Sequence, residues 1–234
     1  MNRSIPYHKP FKTLVFDCDG VILNSNRIKT DAFHSVALPF GAEVAEALVQ
    51  FHVQHGGMSR YRKFEHLLVN ILGQTGGEKE VQLLASAYGE SVYRELLQCE
   101  IATGLHELRK ATADYAWMVV SGGDELELRS VFKVRGLDTL FNRGIHGSPA
   151  TKDVILQREL SFANLELPAL FVGDSRYDHE AAQRAGLQFV FVHGWSEFQG
   201  WQAYCATHQI PKIEKLTDLQ FFLKKHLKLK ARAG

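Results

Sequence analysis

Two pairs of carboxylates, a serine and a lysine carry the chemistry that this sequence could perform. The first pair lies in Asp17-Cys18-Asp19-Gly20, directly after the apolar run Thr13 to Phe16. Carboxylates two apart at a strand end can face one crevice, where their mutual repulsion favours a hard cation. Gly20 lets the chain turn away without a Cβ clash. Taken alone, Asp-x-Asp-Gly also reads as a polar turn. The second pair, Asp174 and Asp178, lies in Gly173-Asp174-Ser175-Arg176-Tyr177-Asp178. That placement equally suits a helix start, where carboxylates cap the chain and meet the dipole. Between the pairs, Ser121-Gly122-Gly123 offers a hydroxyl and a donor-rich backbone to an anion. Lys152, at the end of Ser148-Pro149-Ala150-Thr151-Lys152, could present its own positive charge over the same edge; an isolated lysine there would be solvated surface.

These groups need a frame that gathers them. Short apolar runs at Thr13–Phe16, Ala116–Val120, Ala169–Val172 and Gln188–Val192 read as buried strands, with a weaker one at Arg143–His146. Each run is followed by small or acidic residues and then by helical periodicity. Such alternation predicts right-handed βαβ units: an α/β fold with a doubly wound, Rossmann-like parallel sheet. Sites in these folds lie beyond the carboxyl ends of the strands.

From Asn24 to about Glu100 the alternation stops. Four helical stripes occur there: Ile28, Ala32, Val36 and Ala37; Val44, Ala47, Leu48 and Phe51; Phe64, Leu67, Leu68 and Ile71; Val81, Leu84, Tyr88 and Val92. The block is too long for a simple crossover. It is expected to form an all-helical cap, residues 24–100, over a catalytic core of 1–23 and 101–234. Within it, Gly56-Gly57-Met58-Ser59-Arg60-Tyr61-Arg62-Lys63 joins two helices. Arg60 or Lys63 could reach a second group on a substrate, or the segment could be a solvated turn capped by Ser59.

Composition narrows the classes. The 234 residues carry a formal net charge of +1, with 45% apolar and 23% charged residues, so no global pull toward nucleic acid or membrane is expected. The basic run Lys224 to Arg232 reads as a solvated helix end. Three cysteines without a CxxC pair suggest a reducing, cytoplasmic setting. Cys18 reads as a buried apolar residue, and the eleven histidines show no zinc-ligand spacing.

Acid pair, hydroxyl, lysine and second acid pair, in that chain order, resemble the signature of the haloacid dehalogenase superfamily. The resemblance covers Lys12 to about His193, and the helical insert is similar to the cap of the phosphoglycolate phosphatase and phosphomutase-like branch. Asn24 departs from it, standing where many relatives have an aspartate.

The resemblance implies a Mg²⁺-dependent phosphatase of a small phosphorylated metabolite, a sugar phosphate or phosphoglycolate-like acid. It implies Asp17 as nucleophile through an aspartyl-phosphate, Asp19 as general acid and base, and Ser121 and Lys152 as phosphate-binding groups. It also implies Mg²⁺ on the carboxylates of Asp17 and Asp174 and the carbonyl of Asp19, with Asp178 orienting them or binding directly. Gly20, Gly122, Arg60 and Lys63 are the expected substrate-binding residues. A phosphomutase of the same superfamily is the alternative. A receiver-like signalling module is a third reading, disfavoured by chain length and the cap.

Overall fold

The computed structural model describes residues 10–75 and 77–230. Six strands form one sheet in the order β3-β2-β1-β4-β5-β6. They are β1 (Thr13–Phe16), β2 (Ala116–Asp124), β3 (Ile145–Ser148), β4 (Ala169–Gly173), β5 (Gln188–Val192) and β6 (Lys212–Ile213). Every adjacent pair is parallel. Two differences from the sequence reading stand out. The second strand runs four residues past Val120, to Asp124. The two-residue β6 was not anticipated, because so short an edge strand carries no periodicity of its own.

Side-chain alternation sorts the strand residues onto two buried faces. Leu14, Phe16, Trp117, Val119, Leu170 and Val172 enter one apolar cluster; Val15, Met118, Val120, Phe171 and Phe191 enter the other. That double burial explains why the strands read as unbroken apolar runs. On the first face pack α5 (Leu105–Ala111), α6 (Glu125–Val134) and α10 (Leu216–Lys230). On the second pack α7 (Lys152–Ser161), α8 (Arg176–Arg184) and α9 (Trp201–Thr207). The basic C-terminal run continues past Lys230, beyond the described residues.

Between β1 and β2 lie α1 (Asn26–Ala37), α2 (Ala42–Gln54), α3 (Arg60–His66) and α4 (Glu78–Leu96), with no strand among the described residues. A π-helical turn, Leu67–Ile71, continues α3. Their interior is built on Phe33, Leu48, Phe64, Leu67, Tyr88 and Val92, all buried. The chain leaves and re-enters the sheet region at one place. Leu23 bridges Ile101 in antiparallel fashion, and the Asn24 N–H donates to the Glu100 carbonyl at 2.9 Å. The Asn24 amide also donates to the Glu100 carboxylate at 3.3 Å.

Candidate active site

β1 and β4 are neighbours, and β2 flanks β1 on its other side, so the ends of these three strands meet at the point where strand order reverses. Asp17 is the first residue past β1, and its N–H donates to the Val172 carbonyl of β4 at 2.9 Å. Asp174 follows β4 directly. Asp17, Asp174 and Asp178 can each offer an oxygen such that all three lie within 4.8 Å of one another, and all three residues are buried.

Lys152, at the start of α7, is fully buried among these acids. Its Nζ lies 2.8 Å from the Asp17 Oδ1 and also bonds the Asp178 Oδ1. Burial opposes its charge, but Asp17 and Asp178 outweigh burial and raise its pKa. The reading as solvated surface does not fit this lysine. The other Asp178 oxygen accepts from the Ser175 hydroxyl at 2.6 Å and from the backbone N–H groups of Ser175 and Asp174 at 3.1 and 3.3 Å. With Ser175 it forms a capping box on α8. The cap and the site are thus one feature: the turn that starts α8 aims Asp178 at Lys152.

One lysine does not balance three buried carboxylates. Burial first, then the Asp178 charge, push Asp17 up to about 7 against the pull of Lys152. Burial, then the Asp17 and Asp178 charges, raise Asp174 well above its ordinary value, although the Asn26 amide donates to it at 2.7 Å. An all-oxygen, over-acidic cluster suits a hard divalent cation such as Mg²⁺ and lacks the softer ligands zinc prefers.

Asp19 is held apart from this cluster. Burial would raise its pKa, but Lys29 and Ser25 outweigh it and hold Asp19 ionised. The Lys29 Nζ and the Ser25 hydroxyl each donate to it at 2.6 Å. Gly20 follows in the left-handed region at φ +72°, and a Cβ there would strike the Asp174 carboxylate and the Asn26 amide. Only glycine closes this turn. Ser121 is fully buried within β2, its hydroxyl accepting the Gly123 N–H at 3.0 Å.

A cavity of about 70 Å³ opens over Asp17, Asp19 and Asp174. The loop between α2 and α3 comes down onto its floor. Gly57, at φ +81°, packs so closely that an added Cβ would lie 3.5 Å from the Lys152 Nζ and 3.4 Å from the Ser175 hydroxyl. A Cβ on Gly122 would overlap the Gly57 carbonyl. The two expected cap residues behave differently. Arg60 lines the cavity, but its guanidinium is paired with Glu127 of α6 at 2.5 Å and lies over the Tyr88 ring. With Tyr61 donating to Asp124 at 2.8 Å, it ties α3 to α6. Ser59 does cap α3. Lys63 is buried, with its Nζ 2.6 Å from the His52 Nδ1.

The sequence reading missed Lys29, Asn26, Ser25 and His52. Lys29 carried a signal: it sits four before Phe33 and eight before Ala37, both buried on α1. A cation on an apolar stripe is the mark of a paired or functional charge.

Compared with known proteins, residues 14–192 match the family profile of haloacid dehalogenase-like hydrolases. The chain belongs to that family. No curated protein sequence matches it. Among solved structures, a predicted phosphatase from Clostridium acetobutylicum is similar at 14% identity and a TM-score of 0.72, over 92% of this chain and 99% of that one. A phosphonoacetaldehyde hydrolase like protein from Oleispira antarctica gives 16% and 0.73, over 100% and 99%. A predicted phosphoglycolate phosphatase from Haemophilus somnus gives 18% and 0.67, over 91% and 98%. At these identities the structures establish a shared fold. As a haloacid dehalogenase-like hydrolase the chain is an enzyme, and none of its described helices is long and apolar enough to cross a membrane.

Proposed function

We propose that this hydrolase is a Mg²⁺-dependent phosphatase acting on a small phosphomonoester, a sugar phosphate or phosphoglycolate-like acid, through an aspartyl-phosphate on Asp17. The observation that carries the proposal is the setting of Asp17, a carboxylate at the cavity floor with Lys152 at 2.8 Å and Asp174 beside it. Asp17 attacks phosphorus, the ester oxygen departs, and water then cleaves the acyl-phosphate to regenerate the carboxylate. Lys152 and Ser121 hold non-bridging oxygens whose charge shifts in a loose transition state. Asp17 and Asp174, with the Asp19 carbonyl, would hold the Mg²⁺, which when bound would offset the charge of phosphate and nucleophile together. Asp178 orients rather than ligates, because one oxygen serves Lys152 and the other accepts three protein donors.

Asp19 is the acid for the leaving oxygen and the base for the water. Its bonds to Lys29 and Ser25 favour the ionised form and so the second, base half. The acid half needs Lys29 to turn toward the substrate.

Residues 24–100 act as a cap domain that closes over the substrate and excludes water. Backbone contact between Gly57 and Gly122 is the seat of that closure. Gly122→Ala should hold the cap off the floor and lower kcat/KM for small phosphomonoesters, roughly 10²-fold if closure slips by about an ångström. An unchanged kcat/KM would remove the contact from the mechanism.

The test of the whole reading is phosphate release from a panel of phosphorylated metabolites. Activity should vanish with a chelator and return with Mg²⁺. Full turnover in metal-free buffer would overturn it.

A further inference from the structure

We propose that Lys63, with His52 and Lys29 beside it, forms a second anion subsite in the roof of the cavity, which takes an oxyanion on the leaving-group side of the substrate. This rests on the phosphatase reading and selects acidic phosphomonoesters over neutral ones.

Lys63 differs from the other buried cations of the site. It is 2% exposed, yet no carboxylate lies within ion-pair distance of it among the described residues. Every other buried cation at this cavity has one: Lys29 has Asp19, Arg60 has Glu127, and Lys152 has Asp17 and Asp178. Lys63 has instead the His52 Nδ1 at 2.6 Å and the face of Phe33 at 5.3 Å. Neither supplies a negative charge. Burial, then the charge of Lys29, push Lys63 down to about 7. An uncompensated buried cation is costly to the fold, and such costs persist where a ligand completes the group.

The position fits a ligand. Lys63, His52 and Lys29 line the same cavity as Asp17 and Asp19. Phosphate on Asp17 would therefore direct its ester substituent past Asp19 toward the roof. A cavity of about 70 Å³ admits a short substituent, and a carboxylate two or three carbons from phosphorus is the simplest oxyanion of that reach. The aromatic walls, Phe33 and Tyr88 with ring centroids 4.4 Å apart, strengthen a charge pair by excluding water.

Two measurements test it. The first is stability: Lys63→Met, apolar and of similar length, should raise the melting temperature of the free protein, by about 2 °C or more. A lower melting temperature would make Lys63 a structural prop and overturn the proposal. The second is selectivity, with substrates matched in carbon number: phosphoglycolate against 2-hydroxyethyl phosphate, and 3-phosphoglycerate against glycerol 3-phosphate. The wild type should prefer the acidic member of a pair in kcat/KM. In K63M that preference should fall tenfold or more, with Lys63→Arg retaining part of it. A preference equal in wild type and K63M would overturn the subsite. Calorimetric binding of the same esters to the D17N protein with Mg²⁺ reads the preference without turnover. Loss of p-nitrophenyl phosphate hydrolysis as an activity of the wild type would count against the phosphatase reading instead.

Discussion

Asp17→Asn should abolish phosphate release, by on the order of 10⁴-fold or more, the scale on which nucleophile removal acts when catalysis is covalent. The amide keeps the shape of the side chain but cannot form an acyl-phosphate. The fold should survive. Asp17 is an acid whose pKa rises on folding from 3.8 to about 7. The folded state therefore binds more protons than the unfolded one between those values, and stability falls as pH climbs through that window. Above it, the metal-free wild type bears the full cost of the ionised, buried carboxylate. The amide bears none of it. In metal-free buffer at pH 7.5, D17N should melt no lower than the wild type, and added Mg²⁺ should raise the wild type more than the variant. Phosphate release by D17N within tenfold of the wild type would exclude Asp17 as the nucleophile. Thermal scans of the same preparations separate that result from misfolding.

The second large effect belongs to Lys152. Lys152→Met leaves Asp17, Asp174 and Asp178 buried with no internal cation. Breaking a buried pair by removing one partner costs roughly 3–5 kcal/mol. For a chain of this size that is a fall of about 6–20 °C in melting temperature. Activity should fall about 10³-fold, as expected when a charge-stabilising donor leaves a transition state. The stability defect should narrow as pH is lowered toward about 7, because without the pull of Lys152 the Asp17 carboxyl takes up its proton at a higher pH than in the wild type and sheds its uncompensated charge first. Mg²⁺ should narrow it too. A defect independent of both pH and Mg²⁺ would mean that Lys152 acts by packing alone.

Much of this was legible in the sequence, for physical reasons that differ by region. β1 and β5 were read at their true ends, because strands buried on both faces are continuous apolar runs with turn residues at each end. The motif acids were legible because they follow β1 and β4 directly, where apolar patterning stops. The extension of β2 was not, since Ser121-Gly122-Gly123 has the composition of a turn. In the helical segment the stripes gave the helices and much of their buried faces, with Phe64, Leu67, Leu68, Tyr88 and Val92 all buried. On α1 the stripe missed Lys29 and Phe33, which are buried and line the cavity, while Ile28 and Val36 are half-buried against the core. Arg60 illustrates a further limit. Its charge suggested a substrate contact, but Glu127, 67 residues away, takes it, and no local pattern encodes such a partner.

Leu23, Asn24, Glu100 and Ile101 form a single stalk. The segment begins and ends one hydrogen bond apart. A chain that departs and returns at a single point places no demand on the length or shape of what lies between, and the entropy of closing that loop grows only slowly with its size. The helical segment is therefore tied to the sheet in the manner of an exchangeable cassette. A helical insert grafted between Lys29 and Ile101 would leave Ser25, Asn26 and Lys29 on Asp19 and Asp174 and replace the wall above them without altering a residue of the sheet.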